Sequence, residues 1–292
     1  MKPWRKRSLL IVAASFVVLW SLITVGGVYF TVRPRPAVIE DIETLEGRSV
    51  ESVEIITEDF VRLSAWYATG HPHRAVILLA GIDSNRRACL GRASFYLEEG
   101  YSVLLPDLRA SGKSDGSAVT LGWRERKDLV ACYAFLRERG YHEIGASGIS
   151  LGAATICFAL PELPDLAFVV LESSYDTLVN AVRNRLAIVR APHFIAYPYY
   201  IGLSMYTGAP AWRLRPLDYM EYCTSPTLIM AGDAEVELHV HETQALYEHC
   251  AAPYKRLHLF RDGRHQDFLR RYPEEYKELL RDFLQNVSAL RE

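Results

Sequence analysis

The segment Gly148-Ile149-Ser150-Leu151-Gly152 joins an apolar strand-like segment, Ile144–Gly148, to an apolar helical segment, Leu151–Leu160. Glycines on both sides of the serine remove Cβ atoms that would clash where a strand turns sharply into a helix. Such a turn exposes the serine at the carboxyl edge of a sheet, above the free N–H groups of a helix N-terminus. This placement favours a nucleophilic Ser150 over a chance match in a surface turn.

Short apolar segments alternate with longer helical segments on both sides of this turn. The predicted strands are Val53–Thr57, Val61–Tyr67, Ala75–Ala80, Ser102–Leu105, Ile144–Gly148, Ala167–Leu171, Thr227–Ala231 and Arg256–Phe260. The predicted helices are Asn85–Glu99, Leu121–Arg139, Leu151–Leu160 and Glu274–Val287. Strands that are apolar throughout are typical of a parallel sheet buried on both faces. The sequence therefore predicts an α/β fold, with a mostly parallel central sheet covered by helices on both faces.

A nucleophilic serine needs a general base and an acid that orients the base, and both follow later strands. The strand Thr227–Ala231 leads into Gly232-Asp233-Ala234-Glu235, which offers two carboxylates. His265 follows a turn glycine, Gly263, after the next strand. The pair His239 and His241 lacks further metal ligands at suitable spacing, so no metal site is expected.

Four patches together resemble the α/β-hydrolases from about residue 50 to the C-terminus, and most closely the membrane-associated, BEM46-like serine hydrolases. They are Ala80–Asn85, Asp107–Gly116, the turn at Ser150, and the two loops Gly232–Glu235 and Gly263–His265. The resemblance implies that Ser150 is the nucleophile and His265 the base. It also implies an oxyanion hole formed by the backbone N–H groups of Ile82 and Leu151.

The acid remains open between two residues at this point. The family pattern places it three residues after the strand glycine, at Glu235, although Asp233 lies nearer the strand and has the commoner side chain. Glu235 is the preferred assignment because glutamate orients a histidine as well as aspartate does.

The implied activity is hydrolysis of an ester, thioester or amide through an acyl-enzyme, with no metal or organic cofactor. The expected partner is a small-molecule or lipid-like acyl substrate. Two alternatives share the fold. One is a catalytically silent binding module, since a fold does not determine a function, and the other is a peptidase or acyltransferase that uses the same triad.

The N-terminal segment predicts a membrane anchor. Residues 1–8 carry four basic side chains, and the apolar run 9–30 would be roughly 33 Å long as a helix, against about 30 Å for a bilayer core. A cleaved signal peptide would be shorter and would end in a small-x-small site. The expectation is a single-pass transmembrane helix with a cytoplasmic N-terminus, a linker over 31–49, and a hydrolase domain over 50–292 on the extracytoplasmic side.

The segment from about residue 177 to 225 interrupts the alternation of strands and helices and is rich in proline and aromatic residues. Insertions of this length often form lids or binding loops, and the alternative is an ordinary covering layer. The net charge of −2 gives no basic excess for binding nucleic acid, so no nucleic-acid partner is expected.

Overall fold

A mostly parallel sheet forms the centre of the molecule in a computed structural model that describes residues 3–290. The strands are β1 (Arg35–Pro36), β2 (Thr44–Leu45), β3 (Arg48–Ile56), β4 (Arg62–Ala68), β5 (Arg74–Leu79), β6 (Ser102–Pro106), β7 (Ser111–Gly112), β8 (Glu143–Ile149), β9 (Val169–Glu172), β10 (Thr227–Gly232) and β11 (Lys255–Phe260). The helices are α1 (Pro3–Val32), α2 (Leu90–Glu98), α3 (Arg126–Glu138), α4 (Leu151–Ala159), α5 (Leu178–Ile188), α6 (Tyr197–Thr207), α7 (Pro216–Tyr219), α8 (Val240–His249), α9 (Phe268–Arg271) and α10 (Pro273–Ala289).

The strands of the central sheet follow the order β11-β10-β9-β8-β5-β6-β4-β3-β2. All neighbours from β11 to β6 are parallel, whereas β4, β3 and β2 join antiparallel at one edge. This arrangement confirms the predicted mostly parallel sheet. It also brings the carboxyl ends of β8, β10 and β11 to the same edge of the molecule.

Helices cover both faces of this sheet, as the apolar strands require. On β5, the side chains of Ile77 and Leu79 lie on one face of the sheet, in a cluster with residues of α3, α4 and α8. The side chains of Val76 and Leu78 lie on the other face, in a cluster with residues of α2 and α10. Successive side chains of a strand point to opposite faces, so an apolar run fills two cores at once.

The helix predicted from Leu121 begins later, at Arg126. The buried carboxylate of Glu125 accepts hydrogen bonds from the N–H groups of Thr120 (2.7 Å) and Gly122 (2.9 Å). Leu121 between them has a φ of 59°. A side chain that binds nearby backbone N–H groups in this way holds a turn in place of a first helical turn.

The predicted transmembrane anchor over residues 9–30 is not supported. Among the residues that the structure describes, no helix is both long enough and apolar enough to cross a bilayer. The single-pass topology, the membrane contact through this helix and the extracytoplasmic side for the domain are therefore unsupported as well. The predicted cytoplasmic segment covers residues 1–8. Residues 1 and 2 lie outside the part of the chain that the structure describes, and at positions 3–8 only the backbone is described.

The C-terminal half of α1 packs against α6 of the same chain. Val28 and Val32 are 5% and 2% exposed, in one apolar cluster with Leu203 of α6. At Gly202 an added Cβ would lie 2.7 Å from Cγ2 of Val28, so only a glycine lets the two helices approach this closely.

Two hydrogen bonds over long sequence distances hold α1 in place. The indole of Trp20 donates to the carbonyl of Ile195 at 3.1 Å, and the hydroxyls of Thr31 and Tyr199 lie 2.8 Å apart. Residues 20–32 of α1 together with α5 and α6 thus form one layer beside the carboxyl edge of the sheet, which we call the cover. The predicted lid insertion, 177–225, contributes α5, α6 and α7.

Candidate active site

Ser150 stands at the junction of β8 and α4 in a left-handed conformation with φ of 50°. Its N–H donates to the carbonyl of Glu172 at 2.7 Å. An added Cβ at Gly148 would lie 2.4 Å from the backbone of Gly152, and one at Gly152 would lie 2.4 Å from the carbonyl oxygen of Leu79. The two glycines are therefore required by close packing, and the strained turn presents the serine hydroxyl above the sheet edge.

His265 links this serine to a buried carboxylate. Its Nε2 lies 3.2 Å from Oγ of Ser150, and its Nδ1 lies 2.8 Å from Oε2 of Glu235. The side chain of Glu235 is fully buried, and its Oε1 accepts hydrogen bonds from the hydroxyl of Ser173 (2.5 Å) and the N–H of Gly232 (2.9 Å). Because a carboxylate is an acceptor, it assigns the proton to Nδ1 and leaves Nε2 free to accept the serine proton.

The structure places Glu235, and not Asp233, against this histidine. Asp233 is exposed, and its Oδ1 accepts the N–H of Asp262 at 2.7 Å, on the loop that leads to His265. Asp233 therefore ties two neighbouring loops together.

The acid and histidine loops meet because the strands before them are neighbours. Strands β10 and β11 pair in parallel, so the chain leaves both at the same edge. An added Cβ at Gly232 would lie 2.1 Å from the carbonyl oxygen of Gly263, and the N–H of Ala234 donates to that carbonyl at 2.9 Å. A glycine at the end of β10 thus allows the approach that brings Glu235 to His265.

The two predicted backbone donors flank Ser150. Leu151 is the first residue of α4, where N–H groups have no partner within the helix. Ile82 lies on the loop after β5, next to Gly81, whose added Cβ would be 3.5 Å from Cβ of Ser150. Both residues line a cavity that opens at the serine.

A buried ionic network beneath the site was not predicted. Arg92 donates to both carboxylate oxygens of Glu172 (2.7 and 2.6 Å), Tyr276 donates to the same carboxylate at 2.5 Å, and Arg92 also pairs with Asp267 at 3.1 Å. Burial opposes the charge on Arg92, yet the carboxylate of Glu172 holds its pKa well above the usual value. Since Asp267 is two residues beyond His265, the network fixes the histidine loop to the core.

Two cavities of similar size open beside Ser150. The first, of about 300 Å³, is lined by His265 and by Ser84, Gln266 and Asp267. The second, of about 290 Å³, is lined by the cover and by Leu121 and Tyr175. Both are close to the lower limit of small-molecule sites, which usually measure about 300–1,000 Å³.

The pair His239 and His241 does not contribute to this site. His239 and His241 stack with ring centroids 5.7 Å apart, at the start of α8. Within residues 3–290, no group of three or more His, Cys, Asp or Glu side chains is placed to hold a metal ion.

Comparisons with known proteins agree with this fold. A family model described as X-Pro dipeptidyl-peptidase (S15 family) matches residues 61–198. The chain is similar to a solved structure, the esterase Pf2001 of Pyrococcus furiosus, with 27% identity and a TM-score of 0.75 over 88% of this chain and 98% of the esterase.

Two curated relatives align over most of the chain. One is the uncharacterized protein YqkD of Bacillus subtilis, 26% identical over 74% of each chain. The other is an uncharacterized membrane protein of Saccharomyces cerevisiae, YNL320W, 23% identical over 83% of each chain. The narrower resemblance to the BEM46-like group is not confirmed by these matches. With the fold and these similarities taken together, the chain belongs to the α/β-hydrolase superfamily and is a serine hydrolase.

Proposed function

We propose that the protein hydrolyses a small carboxylic ester through an acyl-enzyme, with Ser150 as nucleophile, His265 as general base and Glu235 as the acid that orients it. The observation that carries this proposal is the unbroken hydrogen-bonded chain from Oγ of Ser150 through the imidazole of His265 to the buried carboxylate of Glu235. The similarity to the Pyrococcus furiosus esterase, which covers 88% of this chain, supports an ester as the substrate.

The arrangement provides for both halves of the reaction. Oγ of Ser150 attacks the ester carbonyl while Nε2 of His265 takes its proton, and the imidazolium then returns that proton to the leaving alcohol. In the second half, water attacks the acyl carbon while Nε2 of His265 takes its proton. The bond between this carbon and Oγ of Ser150 then breaks, and the imidazolium returns the proton to Oγ as the carboxylic acid leaves. The N–H groups of Ile82 and Leu151 would stabilise the oxyanion in both halves, an effect of about 3–4 kcal/mol per donor in comparable sites.

An amide substrate is the second candidate. The family model that matches residues 61–198 is described as a dipeptidyl-peptidase, and a peptidase would use the same three side chains. The two candidates differ in the leaving group, which is an alcohol in one and an amine in the other.

The experiment combines active-site labelling with turnover. A fluorophosphonate probe should label the purified protein, and Ser150→Ala should abolish the label and lower p-nitrophenyl butyrate hydrolysis by at least about a thousandfold. Ser49→Ala, which removes an exposed hydroxyl on β3, is the control and should change neither.

Labelling or turnover that survives in Ser150→Ala would overturn the nucleophile assignment. A kcat/KM for an Xaa-Pro p-nitroanilide above that for every simple ester would favour the peptidase candidate.

A further inference from the structure

The two cavities beside Ser150 differ in their relation to His265. His265 lines the first cavity together with Gln266 and Asp267, whereas the wall of the second contains no part of the histidine loop. The general acid must reach the oxygen of the leaving group when the acyl-enzyme forms. The leaving alcohol therefore belongs in the first cavity, and the acyl chain must extend into the second.

The second cavity has a mostly apolar wall. Its side chains include Phe30 of α1, Leu178, Ala181 and Val182 of α5, and Tyr199 of α6. An acyl chain placed here would exchange water for apolar contacts along its length.

Most polar side chains of this wall are already partnered within the protein. The hydroxyl of Tyr199 bonds that of Thr31 at 2.8 Å, and the hydroxyl of Tyr175 donates to the carbonyl of Leu121 at 2.6 Å. Arg35 forms an ion pair with Asp83 and also donates to carbonyls at the end of α1, including that of Phe30 at 2.9 Å. Polar groups satisfied in this way do not require a polar ligand.

We propose that the cover forms the acyl-chain subsite, with Phe30 of α1 and Val182 of α5 as residues that set the preferred chain length. The proposal rests on the proposed function, because it assigns an orientation to the ester at Ser150. It makes the substrate an ester of an aliphatic acid. It also makes the end of α1 part of the enzyme's binding site.

The first cavity combines polar and apolar side chains, as the second does. Ser84, Gln266 and Asp267 line it, and so does Arg185, which lies at the boundary of both cavities. The buried pair of Arg92 and Glu172 at its base is mutually neutralised. The position of His265, and not a difference in polarity between the two walls, therefore decides which end of the ester enters each cavity.

The test measures kcat/KM along two ester series. In the acyl series, p-nitrophenyl acetate, butyrate, hexanoate and octanoate, the value should rise by roughly fourfold for each methylene that the cavity buries. Val182→Phe fills the cavity and should lower the ratio of hexanoate to acetate by about tenfold or more. Phe30→Ala removes one wall and should lower the same ratio by about fivefold.

Tyr29→Ala is the matched control for Phe30→Ala. Tyr29 and Phe30 are neighbouring aromatic residues with similar exposure, 57% and 60%, but only Phe30 is among the residues that line the cavity. The control should leave the chain-length profile of the parent unchanged. In the alcohol series, ethyl, butyl and hexyl acetate, Val182→Phe should leave the ratios unchanged.

An unchanged acyl profile in both Val182→Phe and Phe30→Ala would overturn the subsite while the Ser150-dependent turnover remained. A change confined to the alcohol series would reverse the orientation and would overturn it too. Turnover that persists in Ser150→Ala would instead refute the proposed function, so the two failures are distinguishable.

Discussion

The carboxyl edge of the sheet and the cover are built in different ways. At the sheet edge, each side chain follows a strand directly, and glycines at Gly148, Gly152 and Gly232 allow close approaches of the backbone. In the cover, the contacts join residues far apart in sequence, such as Trp20 with Ile195 and Thr31 with Tyr199. Chemistry is thus fixed by local backbone geometry, whereas the shape of the site depends on a layer that is added by long-range packing.

The two regions also differ in burial. The side chain of Glu235 is fully buried, whereas the outward face of the cover leaves Tyr197 63% and Ile201 60% exposed. Segments with fewer buried contacts open locally at a lower free energy than the core. We therefore expect substitutions at the sheet edge to change the rate of catalysis, and substitutions in the cover to change local stability and substrate preference.

The largest effect is expected at the acid. Glu235→Gln should lower kcat for p-nitrophenyl butyrate by about 10²–10⁴, because an amide no longer holds the proton on Nδ1 of His265. Asp233→Asn should cost less than about tenfold, since its remaining oxygen can still accept the N–H of Asp262.

Steady-state kinetics at neutral pH, with circular dichroism spectra to verify folding, compare the two variants. A greater loss in Asp233→Asn than in Glu235→Gln would refute the assignment of the acid. It would also show that catalysis does not depend on the hydrogen bond between His265 and Glu235.

The sequence predicted the site better than it predicted the cover. The turn at Ser150 and the loops at Glu235 and His265 are short patterns beside apolar strands. The preference for Glu235 over Asp233 came from the resemblance, since the family pattern places the acid three residues after the glycine. The network of Arg92, Glu172 and Tyr276 was missed because its members lie on three separate elements and form no local pattern.

Hydropathy alone did not predict that the end of the apolar run 9–30 contacts another helix of the same chain. A run of apolar residues looks the same whether its partner is a bilayer or another helix of the chain. The decisive contact is Val28 against Gly202, a pair that no periodicity within the run could indicate. Likewise, the start of α3 shifted because one side chain, Glu125, bound the backbone of the preceding turn.

An intermediate effect is expected where α1 packs on α6. Val28→Ala should destabilise the cover by about 1–2 kcal/mol, since it removes two buried methyl groups and leaves space beside Gly202. Val25→Ala is the matched control because Val25 is 67% exposed on the same helix. Hydrogen exchange of α6 amides, followed by mass spectrometry, should accelerate in the first variant only. Equal protection of α6 in both variants would contradict the packing of α1 on the cover.

The smallest effect concerns the linker that joins α1 to the sheet, and it depends on pH. Hydrogen bonds from the indole of Trp66 (3.0 Å) and the ammonium of Lys113 (3.0 Å) lower the pKa of Asp41 from 3.8 to about 2. Because the folded state has the lower pKa, this carboxylate stabilises the fold fully above the unfolded pKa and loses that contribution as the pH falls through about 2. Asp41→Asn should therefore lower the Tm by the same small amount, about 1–3 °C, from pH 5 to 7. The difference from the parent should then shrink as the pH falls from 4 toward 2, in thermal unfolding followed by circular dichroism.

Glu40→Gln removes the neighbouring exposed charge as a control, and we expect no comparable shift. A difference in Tm that widens toward acidic pH would show that the linker is held by contacts other than the ionised carboxylate of Asp41.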